Sequence, residues 1–286
     1  MGREKPVSFD CAGERLFGIL HPAESPAAEI GMLLVVGGPQ YRVGSHRQFV
    51  LLARTLAAAG IPVLRFDYRG MGDSGGEPRD FEAIGDDIRA AIDCMAAEVV
   101  GLKRFALWGL CDAASANAFY APGDPRVIGQ VAANPWARTA EGEAQAYIRH
   151  YYLERVLSRD FWRKVMSLRF DAVGSLRDFL TKFKRSRSGG SGACAAEDSR
   201  PLPVRLREAQ VGFDGPVLLL LSGNDLTAKE YLDRVADVDE WQRWMESTRV
   251  TLHRLDAADH TFSRAVWRDQ VAGWTRDWLL RLARGS

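Results

Sequence analysis

The chain has 286 residues, 47% of them hydrophobic and 26% charged, with a formal net charge of +1. That balance excludes the excess of Lys and Arg that a nucleic-acid surface requires, and no apolar run approaches the ~20 residues of a membrane-spanning helix. The length suits one large α/β domain with an insertion, or two smaller domains.

In chain order, the opening Met-Gly-Arg-Glu-Lys-Pro lacks the apolar core of a signal peptide. Segments 7–9 and 16–20 flank Cys11-Ala-Gly-Glu and read as an antiparallel hairpin at a sheet edge. Strand-length apolar runs then alternate with helical patterns: strand 31–36, helix 48–59, strand 62–66, helix 81–97, strand 104–108 with an alanine-rich helix after it, and strand 127–133. Strands 217–221 and 250–255 follow much later, and apolar residues at helical spacing over 267–282 predict a helix that closes one face. Continuously hydrophobic strands separated by helices imply a parallel sheet covered on both faces. Between Trp136 and Gly215 the alternation stops. Helical patterns at 141–157, 160–170 and 176–183 precede a polar, Gly/Ser-rich tract over 184–200 that predicts a flexible loop. The expectation is an α/β core formed by 1–136 and 215–286, with a helical cap inserted at 137–214.

The four cysteines, Cys11, Cys94, Cys111 and Cys194, show no C-x-x-C pairing, so free thiols, a reducing cytoplasmic setting and no metal site are expected. Cys111 stands apart. In Gly109-Leu-Cys111-Asp-Ala113 a strand runs into a tight turn and then a helix, with small residues two before and two after the thiol, the layout of a nucleophile elbow. A buried structural cysteine would also fit this segment. A nucleophile there needs a base and an orienting acid at neighbouring strand ends. Asp225, in the turn after strand 217–221, and His260, in the loop after strand 250–255, stand in that order. Each has a plainer explanation, turn chemistry for an Asp in Gly-Asn-Asp and a surface position for the His. Of the other histidines, His21 follows the hairpin, His150 falls in the cap and His253 inside a strand, while His46 sits in a loop that can face the cleft. Asp256 and Asp259 are reserve candidates for the acid.

The oxyanion formed on attack needs two backbone N–H donors. One is expected from Asp112, next to the nucleophile, and the other from the loop Gly37-Gly38-Pro39-Gln40-Tyr41-Arg42. Pro39 has no N–H, so the choice lies between Gly38 and Gln40, with Gln40 preferred. The glycine-rich run 67–76 lacks the Gly-Lys-Ser/Thr ending of a phosphate loop and reads as a structural turn. No cofactor is expected.

These segments resemble the α/β-hydrolase superfamily. The run Asp67-Tyr-Arg-Gly-Met-Gly-Asp-Ser74 is similar to its loop after the fourth strand, and Gly37-Gly38-Pro39 to its oxyanion loop. More narrowly, Trp108-Gly-Leu-Cys-Asp-Ala-Ala-Ser115 and Ser222-Gly-Asn-Asp-Leu-Thr-Ala228 resemble the exosortase A system-associated hydrolase 1 group, which accompanies bacterial exopolysaccharide and protein-sorting gene clusters. The departures from the superfamily pattern are cysteine for serine and Ala113 for glycine. Dienelactone hydrolases and polyhydroxyalkanoate synthases likewise resemble this chain in placing cysteine at the elbow.

Sulfur favours acyl donors that are already activated, because attack on a thioester exchanges like for like while attack on an oxygen ester climbs to a thioester. A thiol also ionises far more readily than a hydroxyl. The expected substrate is therefore an acyl thioester or reactive ester, with hydrolysis, acyl transfer to an alcohol or amine, and non-catalytic binding as the three readings. Tyr41, Arg42, Trp136, Tyr151 and Trp162 are the expected substrate contacts. The basic residues of the cap would suit a phosphopantetheine, coenzyme A or an acidic carrier protein.

Overall fold

The computed structural model describes residues 4–24, 29–38, 40–138 and 200–284. Its strands are β1 (Lys5–Cys11), β2 (Glu14–His21), β3 (Ile30–Val35), β4 (Val63–Asp67), β5 (Arg104–Leu110), β6 (Val127–Ala133), β7 (Val217–Ser222) and β8 (Val250–Leu255). The described α-helices are α1 (Gln48–Ala58), α2 (Gly85–Glu98), α3 (Asp112–Tyr120), α4 (Leu202–Gly212), α5 (Leu226–Ala236), α6 (Asp239–Met245) and α7 (Ala265–Arg284). The strands form one eight-stranded sheet in the order β1-β2-β4-β3-β5-β6-β7-β8. The hairpin β1–β2 is antiparallel, β2 meets β4 antiparallel, and every later pairing is parallel.

Alternation within each strand sends residues to two cores. On one face Leu33, Val35, Phe105, Leu107, Leu219 and Leu221 pack with residues of α2, α3, α4, α5 and α6. On the other, Met32, Leu34, Ala106, Trp108, Leu218 and Leu220 pack under α1 and α7. Because both faces are covered, β3, β4 and β7 are buried along their whole length, as continuous hydrophobic runs require. Helix α1 supplies Phe49, Leu52, Ala53 and Leu56, the i, i+3, i+4, i+7 spacing of a single stripe. Phe49 meets Trp108 edge-on at 5.5 Å.

One boundary differs from the sequence expectation. The cap expected from the sequence runs to residue 214, but α4 packs with the core. Leu206 is fully buried in the first core, and Gln210 accepts hydrogen bonds from Tyr231 on α5 (2.9 Å) and Trp241 on α6 (2.8 Å). Helices α4, α5 and α6 escaped a reading by hydrophobic runs because charged residues interrupt their narrow apolar stripes. The rest of the expected cap, 139–199, lies outside the described residues.

Sheet order decides where chemistry collects. β5 is central, with Gly109 opposite Val35 of β3 and Ala132 of β6. The carboxyl ends of β3, β5, β6, β7 and β8 open on the same edge, so the loops after them converge.

Candidate active site

At the end of β5 the chain turns through Cys111, whose φ of 63° and ψ of −124° lie outside the regions a non-glycine residue prefers. Such a backbone costs about 1–3 kcal/mol and persists only where its surroundings impose it. Here they do. The Cys111 N–H donates to Ala133 O (2.9 Å), and its carbonyl accepts from Ala114 (3.1 Å) and Trp136 (3.2 Å). A Cβ added at Gly109 would lie 2.5 Å from Ala113 C, so the strand can return against the helix only with glycine there. Cys111 itself is half-buried.

Asp225 and His260 arrive from β7 and β8. The Asp225 carboxylate caps α5, accepting from Thr227 N–H (3.2 Å) and Ala228 N–H (3.1 Å), so the turn-chemistry explanation is true of this residue. The same carboxylate also lies 2.9 Å from His260 Nδ1. With Nδ1 committed to Asp225, Nε2 is the nitrogen left for Cys111. Burial alone would lower the His260 pKa, but hydrogen bonds to Asp225 and to Cys111, with the charges of both, push it up to about 10. Cys111, His260 and Asp225 thus form one contiguous set.

A neutral network holds the histidine loop from behind. Asn134, fully buried just past β6 with a φ of 43°, donates from Nδ2 to Ser222 Oγ and to the His260 carbonyl, both at 2.9 Å. Its Oδ1 accepts from Ser222 N–H (2.8 Å), and Ser222 Oγ donates to the Asp259 carbonyl (2.8 Å). Sequence reasoning missed both residues. The only sequence signal was a polar residue at the end of each of two apolar strands, which also describes any strand end.

Ions hold the loop on the opposite side. The Asp112 carboxylate accepts from Gly38 N–H (2.7 Å) and Ala113 N–H (2.9 Å). Burial pushes this carboxyl above its ordinary value, against the backbone hydrogen bonds that lower it. Farther along, Arg42 is tied by its N–H (2.7 Å) and its guanidinium to the fully buried Asp67, and by Nη2 to Asp73 (2.6 Å). Two expectations change accordingly. Gly38 is not a free oxyanion donor, since its amide is already engaged by a carboxylate. Arg42 is not a free substrate contact, since both its partners are carboxylates of the 67–76 turn and its side chain is 13% exposed.

The remaining expected residues fall as follows. Tyr41 is exposed beside the loop, with the Arg42 guanidinium 4.7 Å from its ring centroid. Trp136 is half-buried next to the elbow, its carbonyl accepting from Ser115 Oγ (2.7 Å) and its ring under Arg138 at 4.7 Å. Gln40 is half-buried, with a buried side-chain Oε1 that has no hydrogen-bond partner among the described residues. Tyr151 and Trp162, with His150 and Cys194, lie outside the described residues. Asp259 is committed to Ser263 and Asp256 to Arg254, so neither faces the imidazole. His21 is buried against Arg65, its pKa lowered by burial to about 4, His253 stacks on Trp274, and His46 is exposed. Among the described residues no group of three or more His, Cys, Asp or Glu could hold a metal ion, and no helix is long and apolar enough to cross a membrane.

A mostly parallel sheet of this order, with an elbow after its central strand and a His–Asp contact on the two strands beyond it, has the architecture of the alpha/beta hydrolases. The model of the alpha/beta hydrolase family matches residues 32–274, and the chain belongs to that family. Solved structures with the same fold include the Pyrococcus furiosus esterase PF2001, at 16% identity and a TM-score of 0.68 over 98% of this chain and 91% of that one. Est1E from Butyrivibrio proteoclasticus, solved with ferulic acid bound, has 17% identity and a TM-score of 0.62 over 96% and 98%. The alpha/beta hydrolase GrgF from Penicillium sp. sh18 has 17% identity and a TM-score of 0.64 over 98% of each chain. No protein of curated function matches the sequence.

Proposed function

We propose that the protein is a cysteine hydrolase that cleaves an acyl thioester or activated ester through an acyl-Cys111 intermediate. Cys111 Sγ attacks the acyl carbonyl, a carbon–sulfur bond forms, and the carbonyl electron pair moves to oxygen. The amides of Asp112 and Gln40 hold that oxyanion. His260 Nε2 gives its proton to the leaving thiol or alcohol as the bond to it breaks, then draws a proton from the water that releases the acid. Asp225 keeps the imidazole in register and supports its positive charge. The observation that carries this reading is the His260 ring, held at 2.9 Å by Asp225 and hydrogen-bonded to Cys111, with its pKa pushed up to about 10. A ring so raised favours its protonated form, an acid ready for the leaving group.

The resemblance of the two motifs around Cys111 and Asp225 supports placing the chain with the exosortase A system-associated hydrolases. A coenzyme A or carrier-protein thioester is the donor class that best suits sulfur. The test is intact-mass analysis after mixing with a panel of acyl-pantetheine thioesters. The wild type gains the acyl mass on Cys111 and turns the thioester over, and Cys111→Ala does neither while remaining folded. Turnover by Cys111→Ala near the wild-type rate removes Cys111 from the mechanism.

A further inference from the structure

The chemistry above uses only the backbone amide of Asp112, yet its side chain is bound on two sides. One carboxylate oxygen takes Gly38 N–H at 2.7 Å and the other takes Ala113 N–H at 2.9 Å, so one anion bridges the loop after β3 and the first turn of α3. The loop is shaped around it. A Cβ at Gly37 would sit 2.1 Å from Asp112 Oδ1 and 2.8 Å from Leu110 O, so any side chain at 37 would expel the carboxylate. Gly38 adopts a φ of 57°, which presents its amide to the carboxylate at no steric cost. A carboxylate beside a carbonyl that becomes negative is an electrostatic liability. Its two amide partners and the start of α3 offset that charge.

We propose that the Asp112 side chain is a positioning residue that clamps the loop after β3 to the elbow and so fixes the loop that supplies the second oxyanion donor. The inference rests on the acyl-cysteine reading for its catalytic consequence, but the clamp itself is a structural claim with its own readout.

The experiment compares Asp112→Ala and Asp112→Asn in two reactions of Cys111. Single-turnover acylation by an acyl-pantetheine builds an oxyanion. Alkylation by iodoacetamide displaces iodide from a saturated carbon and builds none. Asp112→Ala is expected to lose about 10²-fold in acylation, as when one oxyanion donor is removed, while alkylation stays within a few fold. Asp112→Asn, whose amide oxygen can still accept from Gly38, recovers most of the loss. Hydrogen exchange at Gly38 gives the second readout: slow in the wild type and in Asp112→Asn, fast in Asp112→Ala. Equal losses in acylation and alkylation, unimpaired acylation by Asp112→Ala, or a fast-exchanging Gly38 in the wild type each overturn the proposal. A wild type that is alkylated but never acylated defeats the acyl-cysteine reading instead, and Gly38 exchange still decides the clamp.

Discussion

The two arms that flank Cys111 are fixed by different mixtures of charged and neutral groups. On the loop side the carboxylates of Asp112, Asp67 and Asp73 are the side-chain anchors, the first on Gly38 and the other two on Arg42. On the histidine side Asn134 and Ser222 hold the backbone through neutral bonds, the Asp259 carboxylate holds the turn through Ser263, and the Asp225 carboxylate reaches the ring itself. The loop has no titrating task, so charge-assisted bonds can hold it without interfering. The imidazole must gain and lose a proton in each cycle. The amide and hydroxyl anchors on the His260 carbonyl and on Ser222 add no charge to that step, and the carboxylate in contact with the ring is that of Asp225.

The contrast can be broken one arm at a time. The largest effect is expected for Asp225→Asn, about 10⁴-fold in kcat by analogy with triads whose acid is neutralised, measured as steady-state thioester turnover. A loss below tenfold would move the orienting role elsewhere. On the loop arm, Arg42→Ala leaves the fully buried Asp67 without its cation and should cost about 3–5 kcal/mol of stability, read from urea unfolding. That loss should shrink as the pH falls, because protonation of Asp67 removes the unpaired charge, and a pH-independent loss would mean the pair is not electrostatic. On the histidine arm, Asn134→Gly keeps the left-handed backbone but leaves Ser222 N–H unpaired and removes the donor to the His260 carbonyl, for about 1–3 kcal/mol, with little dependence on pH. Asn134→Ala should be worse by about 1–2 kcal/mol, because alanine is strained in that conformation.

The smallest effect is in the pH profile. The pKa of His260 is raised on folding, so its contribution to stability is fully present below the unfolded value of about 6.5 and is lost as pH rises through about 10. Acylation should fall over the same alkaline limb, as the imidazolium that protonates the leaving group disappears. In Asp225→Asn that limb should move to lower pH, since the hydrogen bond to Asp225 is the largest influence raising it. A limb that stays in place would detach it from His260.

Much of the scaffold was legible in advance. The apolar runs that became β3 and β7 were readable because a strand buried on both faces is hydrophobic along its length, and the antiparallel hairpin was marked by its Gly-containing turn. Cys111, Asp225 and His260 were legible for a different reason. Chain order places each after a strand, and parallel strands bring their carboxyl ends to one edge, so their meeting needed topology but no side-chain detail. The place of helix α4 is not legible in the sequence, because its burial comes from Leu206 in the first core and from Gln210 meeting Tyr231 and Trp241, contacts that composition does not announce.

What the sequence by itself determined was the alternation, the elbow and the order of the chemical groups, since these rest on local sterics and on the spacing of apolar residues. Only the tertiary structure decided which polar groups were already taken. Arg42 looked free to meet substrate until Asp67, 25 residues away, was found against it, and the Gly38 amide looked free until Asp112, 74 residues away, was found to hold it. A hydrogen bond is a property of two groups, and when its halves lie on different strands nothing along the chain records that they have met.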